Sequence, residues 1–267
     1  MSKRRNWSLI IGCAIAAFVV ALIVMGFFWT PYEPTAMDAS ARSAGPSAAH
    51  ILGTDNFGRD IFSRVLEGAG TTLIIALSTV CIGLVAGIIV GAFTGYFGGW
   101  LDELLMRVSD VITAFPSVLM AMVLISLLGT GKYNIIVALS ILFIPSFARI
   151  VRSEFAKHKE LDYVRAARLM GAGSLRIMFV HILPNVIPVL LSAVAIGFNN
   201  AVLAEASMSF LGIGVQPPDP SLGRMLSESQ SFLSSAPWYP LSSGITIVLL
   251  ILGFGLISDG LGGRNNA

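Results

Sequence analysis

The chain has 267 residues and a formal net charge of +2, and 55% of its residues are hydrophobic while only 12% are charged. Soluble domains carry about 25% charged residues, so this composition excludes an ordinary water-soluble domain. Several apolar stretches are as long as the roughly 20 residues that a helix needs to cross the hydrocarbon core. They are continuous, whereas the strands of a membrane barrel alternate. The sequence therefore predicts an all-α integral membrane protein.

Six transmembrane helices are predicted along the chain. The first covers 8–29 and follows the basic residues Lys3, Arg4 and Arg5. Its apolar run is longer than the about 7–15 residues of a signal-peptide core, so we interpret it as an uncleaved helix. The other five are predicted at 71–95, 110–128, 134–150, 185–206 and 241–257.

These helices divide the chain into four parts. We expect the N-terminus with the first helix over 1–29, an extracytoplasmic segment over 30–70, a core of five helices over 71–258 and a short tail over 259–267. The core contains one long polar loop, at 151–184.

The distribution of basic residues predicts the orientation, because cytoplasmic loops are enriched in Lys and Arg. One side of the predicted topology holds Lys3, Arg4, Arg5, Arg107, Arg149, Arg152, Lys157, Lys159, Arg165, Arg168, Arg176 and Arg264. The other side holds Arg42, Arg59, Arg64, Lys132 and Arg224. We therefore expect both termini and the 151–184 loop in the cytoplasm, and the segments 30–70 and 207–240 outside.

The 151–184 loop carries the most informative pattern. Its residues 160–170 have helical spacing and predict a short amphipathic helix. One face is predicted to hold Tyr163, Ala166, Ala167 and Met170, with Arg165 and Arg168 beside it. Small residues on that face let another backbone approach closely, which favours a docking role. The alternative is a surface hairpin that only joins two spans.

Turn signals follow this helix. Gly171 suits the left-handed conformation that ends a helix. Ser174 is predicted to cap a second short helix that extends to Val180. Pro184 is predicted in the first turn of the next membrane helix, where a proline is well tolerated.

Three polar residues inside the predicted helix 185–206 are candidates for a translocation path. Glu205 is costly near membrane depth, so it is either functional or a carboxylate that holds the outer segment in place. Asn199 and Asn200 are adjacent, and at least one must face protein or a water-filled path because an unpaired amide in lipid is unfavourable. Packing between helices is the alternative for both amides.

The outer segment before the second helix contains Asp55, Arg59 and Asp60. Asp60 is predicted to cap a short amphipathic helix that begins at Ile61. That helix is expected to lie along the membrane surface, to support a partner outside the membrane, or to brace the structure.

No catalytic or metal site is predicted. The chain lacks a G-x-x-x-x-G-K-[ST] phosphate loop, so we do not expect it to hydrolyse ATP. His50, His158 and His181 are far apart, and none has the i, i+4 partner of a helical zinc site. Membrane-embedded hydrolysis would need a Ser/His/Asp or HExxH constellation, which is not visible at membrane depth. We therefore expect a non-catalytic chain that binds no cofactor.

The segments 162–171 and 181–185 resemble the EAA loop, a signature of permease subunits of ATP-binding-cassette (ABC) importers. That loop reads Glu-Ala-Ala, three residues, Gly, nine residues and Ile-x-Leu-Pro. The matching positions are Ala166, Ala167, Gly171, Leu183 and Pro184. Arg165 stands in place of the Glu and His181 in place of the Ile, while an acid, Asp162, lies three residues earlier.

Other stretches resemble the dipeptide, oligopeptide and nickel branch of the same family. They are 50–60, 95–99, Phe115-Pro116, 205–212 and 259–261. The resemblance extends over nearly the whole chain, and the combination is typical of the second of two permeases in such an importer.

This resemblance implies the type I ABC importer permease fold and a set of partners. A homologous second permease would complete the translocation path in the cytoplasmic membrane of a bacterium or archaeon. Two ATP-binding subunits, which carry ATP and Mg²⁺, would dock on the loop around 160–184, and a substrate-binding protein would deliver cargo from outside. The lipid bilayer is the remaining partner, and no nucleic acid is expected. The implied ATPase-coupling residues are Asp162, Tyr163, Arg165, Ala166, Ala167, Arg168, Met170 and Gly171.

Three hypotheses about transport follow from these observations. Import of di- or oligopeptides is the first expectation, and the same architecture importing nickel or a metal–chelator complex is the alternative. An ion- or proton-coupled carrier without ATPases is a further alternative, although the predicted helix interiors hold almost no charge.

Overall fold

The computed structural model describes residues 7–262, with the side chains of 7–260. The basic residues Lys3, Arg4, Arg5 and Arg264 and most of the predicted tail lie outside this range. The helices are α1 (Trp7–Phe28), α2 (Ile61–Phe97), α3 (Gly99–Ala114), α4 (Ser117–Leu128), α5 (Lys132–His158), α6 (Asp162–Leu169), α7 (Ser174–Arg176), α8 (Leu183–Phe210), α9 (Leu222–Ser229) and α10 (Trp238–Gly262). A π-helical segment, Ile177–Ile182, joins α7 to α8 without a break.

Within the described residues, five helices are long and apolar enough to cross a membrane. They are α1, α2, α5, the continuous helix Ser174–Phe210, and α10, whose first 23 residues form the span. The bent pair of α3 and α4 gives a sixth span if both helices are counted as one. The predicted all-α membrane architecture is therefore confirmed, although the third span is broken.

The second span begins ten residues before the predicted position 71. Asp60 does cap it, because its carboxylate accepts a hydrogen bond of 2.8 Å from the backbone N–H of Ser63. The predicted separate surface helix at Ile61 is wrong, since those residues form the first turns of α2. Gly68 and Gly70 do not interrupt the helix, because Ser221 and Phe27 pack closely against them.

The third span departs most from the prediction, which placed one helix over 110–128. α3 and α4 meet at an angle of 98°. Phe115 lies between them in an extended conformation, with φ −94° and ψ 147°. Pro116 disfavours a helical conformation at the residue before it, so the helix must end there.

The fourth span extends eight residues beyond its predicted end at 150. Two arginines of α5 have carboxylate partners on α3: Arg149 lies 3.5 Å from Asp110, and Arg152 binds Asp102 in a bidentate pair. These ion pairs stabilise polar residues in α5 that the hydropathy pattern had assigned to a loop.

Among the described helices, α2 and α5 make the most extensive contact, and glycines face α5 at every fourth residue of α2. They are Gly83, Gly87, Gly91 and Gly95. A Cβ on Gly91 would lie 2.5 Å from the carbonyl oxygen of Ala148, and one on Gly95 would lie 2.5 Å from that of Arg152. We call this contact the glycine seam. α8 packs beside it, where the ring of Phe147 lies against Gly197.

Buried charges hold together the end of the bundle that carries α9 and the beginning of α2. The carboxylate of Glu228 in α9 accepts hydrogen bonds from Arg59 and Arg64, both at 3.1 Å, and from Arg224 at 3.0 Å. Arg59 also donates to Asp55 at 2.6 Å, and Arg64 is only 1% exposed. These bonds favour the bracing role among those considered for Asp55, Arg59 and Asp60.

The first prediction concerns the glycine seam. Gly91→Ala forces α2 and α5 apart, and overpacking of this kind costs about 1–3 kcal/mol. We expect a lower unfolding temperature for the purified protein, measured by circular dichroism in detergent. Gly244→Ala in α10 is the matched control, because no atom lies within 4 Å of its added Cβ. An equal effect of the two substitutions would contradict the close contact.

The second prediction concerns Glu228. Although burial opposes its ionisation, the cations of Arg64, Arg224 and Arg59 lower the pKa of Glu228 below its ordinary value of 4.5. Because the pKa of Glu228 is lower in the folded than in the unfolded protein, its ionised carboxylate stabilises the fold at pH values above the pKa of the unfolded chain. This stabilisation is lost as the pH falls through the pKa of the folded state. We expect Glu228→Gln to cost about 1.5–3 kcal/mol at pH 7. The difference from wild type should shrink in acid, and a difference that is constant from pH 7 to 3 would refute this role.

Candidate functional site

The loop between α5 and α8 contains α6, an eight-residue helix set between two spans. Its inner face is packed on its own chain: Val164 and Ala167 are buried in a cluster with Val151, Phe155 and Ile177. Ala167 therefore does not share the exposed face on which the helical pattern placed it. Val164 faces the core, and Ala167, three residues later, lies on the same side.

The outer face of α6 and the turn after it are exposed. Asp162, Tyr163, Arg165, Ala166, Arg168, Leu169 and Met170 all lie there. Leu169 is 90% and Met170 82% exposed, which is unusual for large apolar side chains at the end of a polar helix. Arg165 lies 3.5 Å from Asp162 and 3.8 Å from Glu160, so local ion pairs occupy the position where the EAA pattern has a Glu.

Gly171 ends α6 as predicted. Its φ is +83°, in the left-handed region that favours glycine. The N–H of Gly171 donates to the carbonyl of Arg168 at 3.0 Å, and that of Ala172 donates to Ala167 at 3.0 Å. These two bonds form a Schellman motif, which fixes the direction in which Leu169 and Met170 project.

Two polar contacts attach α6 to the membrane helices. The guanidinium of Arg168 donates to the hydroxyl of Tyr96 at 3.3 Å, and its Cζ lies 5.8 Å from the centre of that ring. Tyr96 belongs to the last turn of α2. On the other side, His158 Nδ1 lies 2.9 Å from the hydroxyl of Tyr163. α6 is thus joined to the ends of both helices of the glycine seam.

The second half of the loop differs from the prediction. Gly173 rather than Ser174 occupies the N-cap position, and no side chain caps this end. The helix then changes to π geometry over Ile177–Ile182 before α8 begins at Leu183. Pro184 lies in the first turn of α8, as predicted. The π segment puts Ile177, Met178 and Ile182 into the same buried cluster as Val164.

An apolar cleft of about 450 Å³ lies between α4, α5 and α8. Its walls carry hydrophobic side chains such as Val118, Phe143, Phe147 and Ile196. Its polar lining consists of Ser117, Ser146, Asn200 and Ser207. In the part of the chain that the structure describes, no charged side chain lines the cleft, so this surface offers no fixed charge with which to select an ion.

The three polar candidates of α8 have different surroundings. Asn200 lines the cleft and is exposed. Asn199 lies against α10, with its Nδ2 3.3 Å from the position that a Cβ on Gly255 would take, and its buried Oδ1 has no hydrogen-bond partner among the described residues. The two neighbouring amides therefore face different neighbours around α8.

Glu205 is fully buried and does not line the cleft. Its carboxylate accepts hydrogen bonds from Thr72 at 2.8 Å and from Ser209 at 2.7 Å. Ser209 in turn accepts from the N–H of Val215 at 3.1 Å. Glu205 thus joins α8 to α2 and to the segment after α8, which agrees with the structural alternative.

Sequence reasoning missed two residues of this site. Leu169 was left out of the docking face, although its apolar character in a polar helix was a visible signal. Tyr96 gave no signal of its contact with Arg168, because the two residues are 72 positions apart. Among the described residues, no group of three or more His, Cys, Asp or Glu side chains is arranged to hold a metal ion.

Comparison with known proteins agrees with this geometry. Residues 83–266, more than half of the chain, match the family model described as the binding-protein-dependent transport system inner membrane component. The dipeptide transport system permease protein DppC of Alkalihalophilus pseudofirmus is 38% identical over 97% of this chain and 85% of its own length. The glutathione transport system permease protein GsiD of Pectobacterium atrosepticum is 38% identical over 94% of this chain and 85% of its own.

A solved structure supports the fold. A chain of the MetNI methionine ABC transporter, in an inward-facing conformation, matches with a TM-score of 0.59 at 20% identity, over 76% of this chain and 95% of that chain. The fold is thus that of the type I ABC importer permeases. The chain belongs to the family of binding-protein-dependent transport system inner membrane components, and it is a non-catalytic, multi-pass permease subunit of an ABC importer.

Proposed function

We propose that this chain forms part of the path by which an ATP-driven bacterial importer takes up short peptides. The observation that carries the proposal is α6, a short helix that presents Leu169 and Met170 to a partner while its inner face is anchored to α2 and α5. Relatives at 38% identity are named for dipeptide and glutathione transport. Both cargoes are short peptides, so nickel import by the same architecture is not favoured.

The proposed complex contains four kinds of partner. A homologous second permease completes the path, and two ATP-binding subunits, with their ATP and Mg²⁺, dock on the 151–184 loop. A substrate-binding protein delivers cargo to the side that holds Glu228, and lipid surrounds the spans. This arrangement puts both termini and α6 in the cytoplasm, in agreement with the bias of basic residues toward that side.

We assign the coupling role to the surface formed by Asp162, Tyr163, Arg165, Ala166, Arg168, Leu169, Met170 and Gly171. Ala167 contributes indirectly, because it lies on the buried face of α6 and packs this helix onto the core of the chain. Leu169 and Met170 are suited to insert into an apolar groove of an ATP-binding subunit, because large exposed side chains act as anchors at interfaces. The Schellman turn at Gly171 holds them in place for that contact.

The cleft between α4, α5 and α8 is the proposed wall of the path. Asn200 is its central polar group, and its amide can donate to and accept from the backbone of a peptide. Asn199 and Glu205 are not part of this wall in our proposal, because one faces α10 and the other is buried by Thr72 and Ser209. An uncharged wall suits peptides with differing side chains and does not suit an ion-coupled carrier.

Coupling follows from the attachment of α6 to both α2 and α5. Movement of the ATP-binding subunits displaces α6, and α6 displaces α2 and α5 through Arg168 and the buried cluster. Phe147 of α5 lines the cleft and contacts Gly197 of α8, so the displacement reaches the wall of the path. Nucleotide then acts by shifting an equilibrium between two arrangements of the permeases.

The third prediction tests this function with Leu169→Asp combined with Met170→Asp. Neither side chain is packed on its own chain, so membrane insertion and the unfolding temperature should be unchanged. Burying the two carboxylates at an interface is unfavourable, so at least tenfold less ATP-binding subunit should co-purify from mild detergent, and ATP-driven peptide uptake should be lost.

Leu233→Asp is the matched control, because Leu233 is also a large exposed apolar residue but lies in the 207–240 segment. This variant should retain the ATP-binding subunits. Normal recovery of those subunits with the double variant would show that α6 is not the docking helix.

A further inference from the structure

α3 has an exposed apolar face that the transport mechanism does not use. The residues of this face are Trp100, Leu104, Val108, Val111 and, at the end of the helix, Phe115. They are separated by four, four, three and four positions, so they form one stripe along the helix. Trp100 is 75% exposed. We call these residues the α3 stripe.

Two other faces of α3 have different surroundings. The face with Asp102, Ser109 and Thr113 is turned toward the protein: Asp102 binds Arg152, Ser109 is buried, and Thr113 accepts from Arg149 at 2.5 Å. Glu103 and Arg107 form a polar face, 4.0 Å apart, and both are open to solvent. α3 therefore presents one face to protein, one to water and one, the α3 stripe, to an apolar surrounding.

The position of α3 relative to the membrane follows from its neighbours. α4 is joined to α5 through only the three residues 129–131. A connection this short is typical of antiparallel neighbours in a helix bundle. Since α3 meets α4 at 98°, it runs nearly parallel to the membrane plane. Its partners Arg149 and Arg152 lie about 26–30 Å along α5 from Lys132, which is about the thickness of the hydrocarbon core. α3 is thus at the membrane boundary on the side of α6.

We propose that α3 is an interfacial helix whose stripe is immersed in the lipid leaflet on the α6 side. An amphipathic helix at this depth buries its apolar face at the boundary between head groups and acyl chains. Tryptophan is enriched at that boundary, and the stripe begins with Trp100. Phe97, in the last turn of α2 just before α3, is exposed as well.

The polar face distinguishes lipid from a protein partner. Glu103 and Arg107 lie next to the α3 stripe and have only each other as an ion-pair partner among the described residues. A protein covering this side of α3 would have to desolvate both charges, which is unfavourable. At the lipid boundary the same two charges stay in water while the stripe is buried.

The fourth prediction tests this placement by spin labelling in the assembled importer. Cys13 and Cys81, both free, are replaced by Ala, and a nitroxide is attached after Leu104→Cys or, as the matched control, Arg107→Cys. The complex is reconstituted in liposomes of phosphatidylethanolamine and phosphatidylglycerol. Collision rates are then measured with oxygen, which concentrates in lipid, and with a water-soluble nickel chelate.

We expect the label at 104 to collide several-fold more often with oxygen than with the nickel chelate, and the label at 107 to show the reverse preference. Shielding of the 104 label from both reagents would mean that a protein subunit covers the stripe. Ready collision of that label with the nickel chelate would mean that the stripe faces water. Either result would overturn the proposal, and neither depends on which cargo the importer carries.

Discussion

Backbone contact between α2 and α5 along the glycine seam is the constraint on which the rest of this structure depends. Gly83, Gly87, Gly91 and Gly95 leave no room for a side chain, so the two helices are held together over three turns. Without a hydrophobic driving force between helices in lipid, close van der Waals packing of this kind is what stabilises a helix pair. At one end α2 is joined to the charges around Glu228, and at the other end both helices are joined to α6.

This arrangement links the two surfaces to which we assign roles in transport. α6 is attached to α2 by Arg168 and to α5 by His158, while its inner face belongs to the cluster that contains Phe155. The cleft is formed by α4, α5 and α8, and Phe143 and Phe147 of α5 both line it and contact glycines of α2. In the mechanism that we propose, a displacement of α6 reaches the cleft through this tightly packed pair of helices. Between α6 and the cleft, the π-helical segment Ile177–Ile182 interrupts the regular α-helical geometry just before α8.

Features with a local physical cause were predictable from the sequence, and those set by distant contacts were not. The spans follow from apolar length and the caps at Asp60 and Gly171 from residue type. Pro116 also signals the end of a helix at Phe115, although the predicted single helix over 110–128 overlooked it. The N-terminal extension of α2 was missed because Gly68 packs against Ser221, 153 residues away. Likewise, the sequence predicted Asn199 and Asn200 as joint candidates for the translocation path. The packing of the neighbouring helices, which the sequence does not reveal, determines that Asn200 faces the cleft.

The most direct test of the central claim is a pair of distances between spin labels in the reconstituted importer, measured by pulsed electron resonance with and without ATP. One pair joins the exposed positions Phe97 and Leu161, the N-cap residue of α6 that lies outside the proposed docking surface, and reports on α6 relative to α2. The other joins Leu161 and Leu203, which lines the cleft on α8. If α6 and the glycine seam move as one body, the 97–161 distance stays constant while the 161–203 distance changes with nucleotide. A change in the 97–161 distance, with the 161–203 distance constant, would contradict this account.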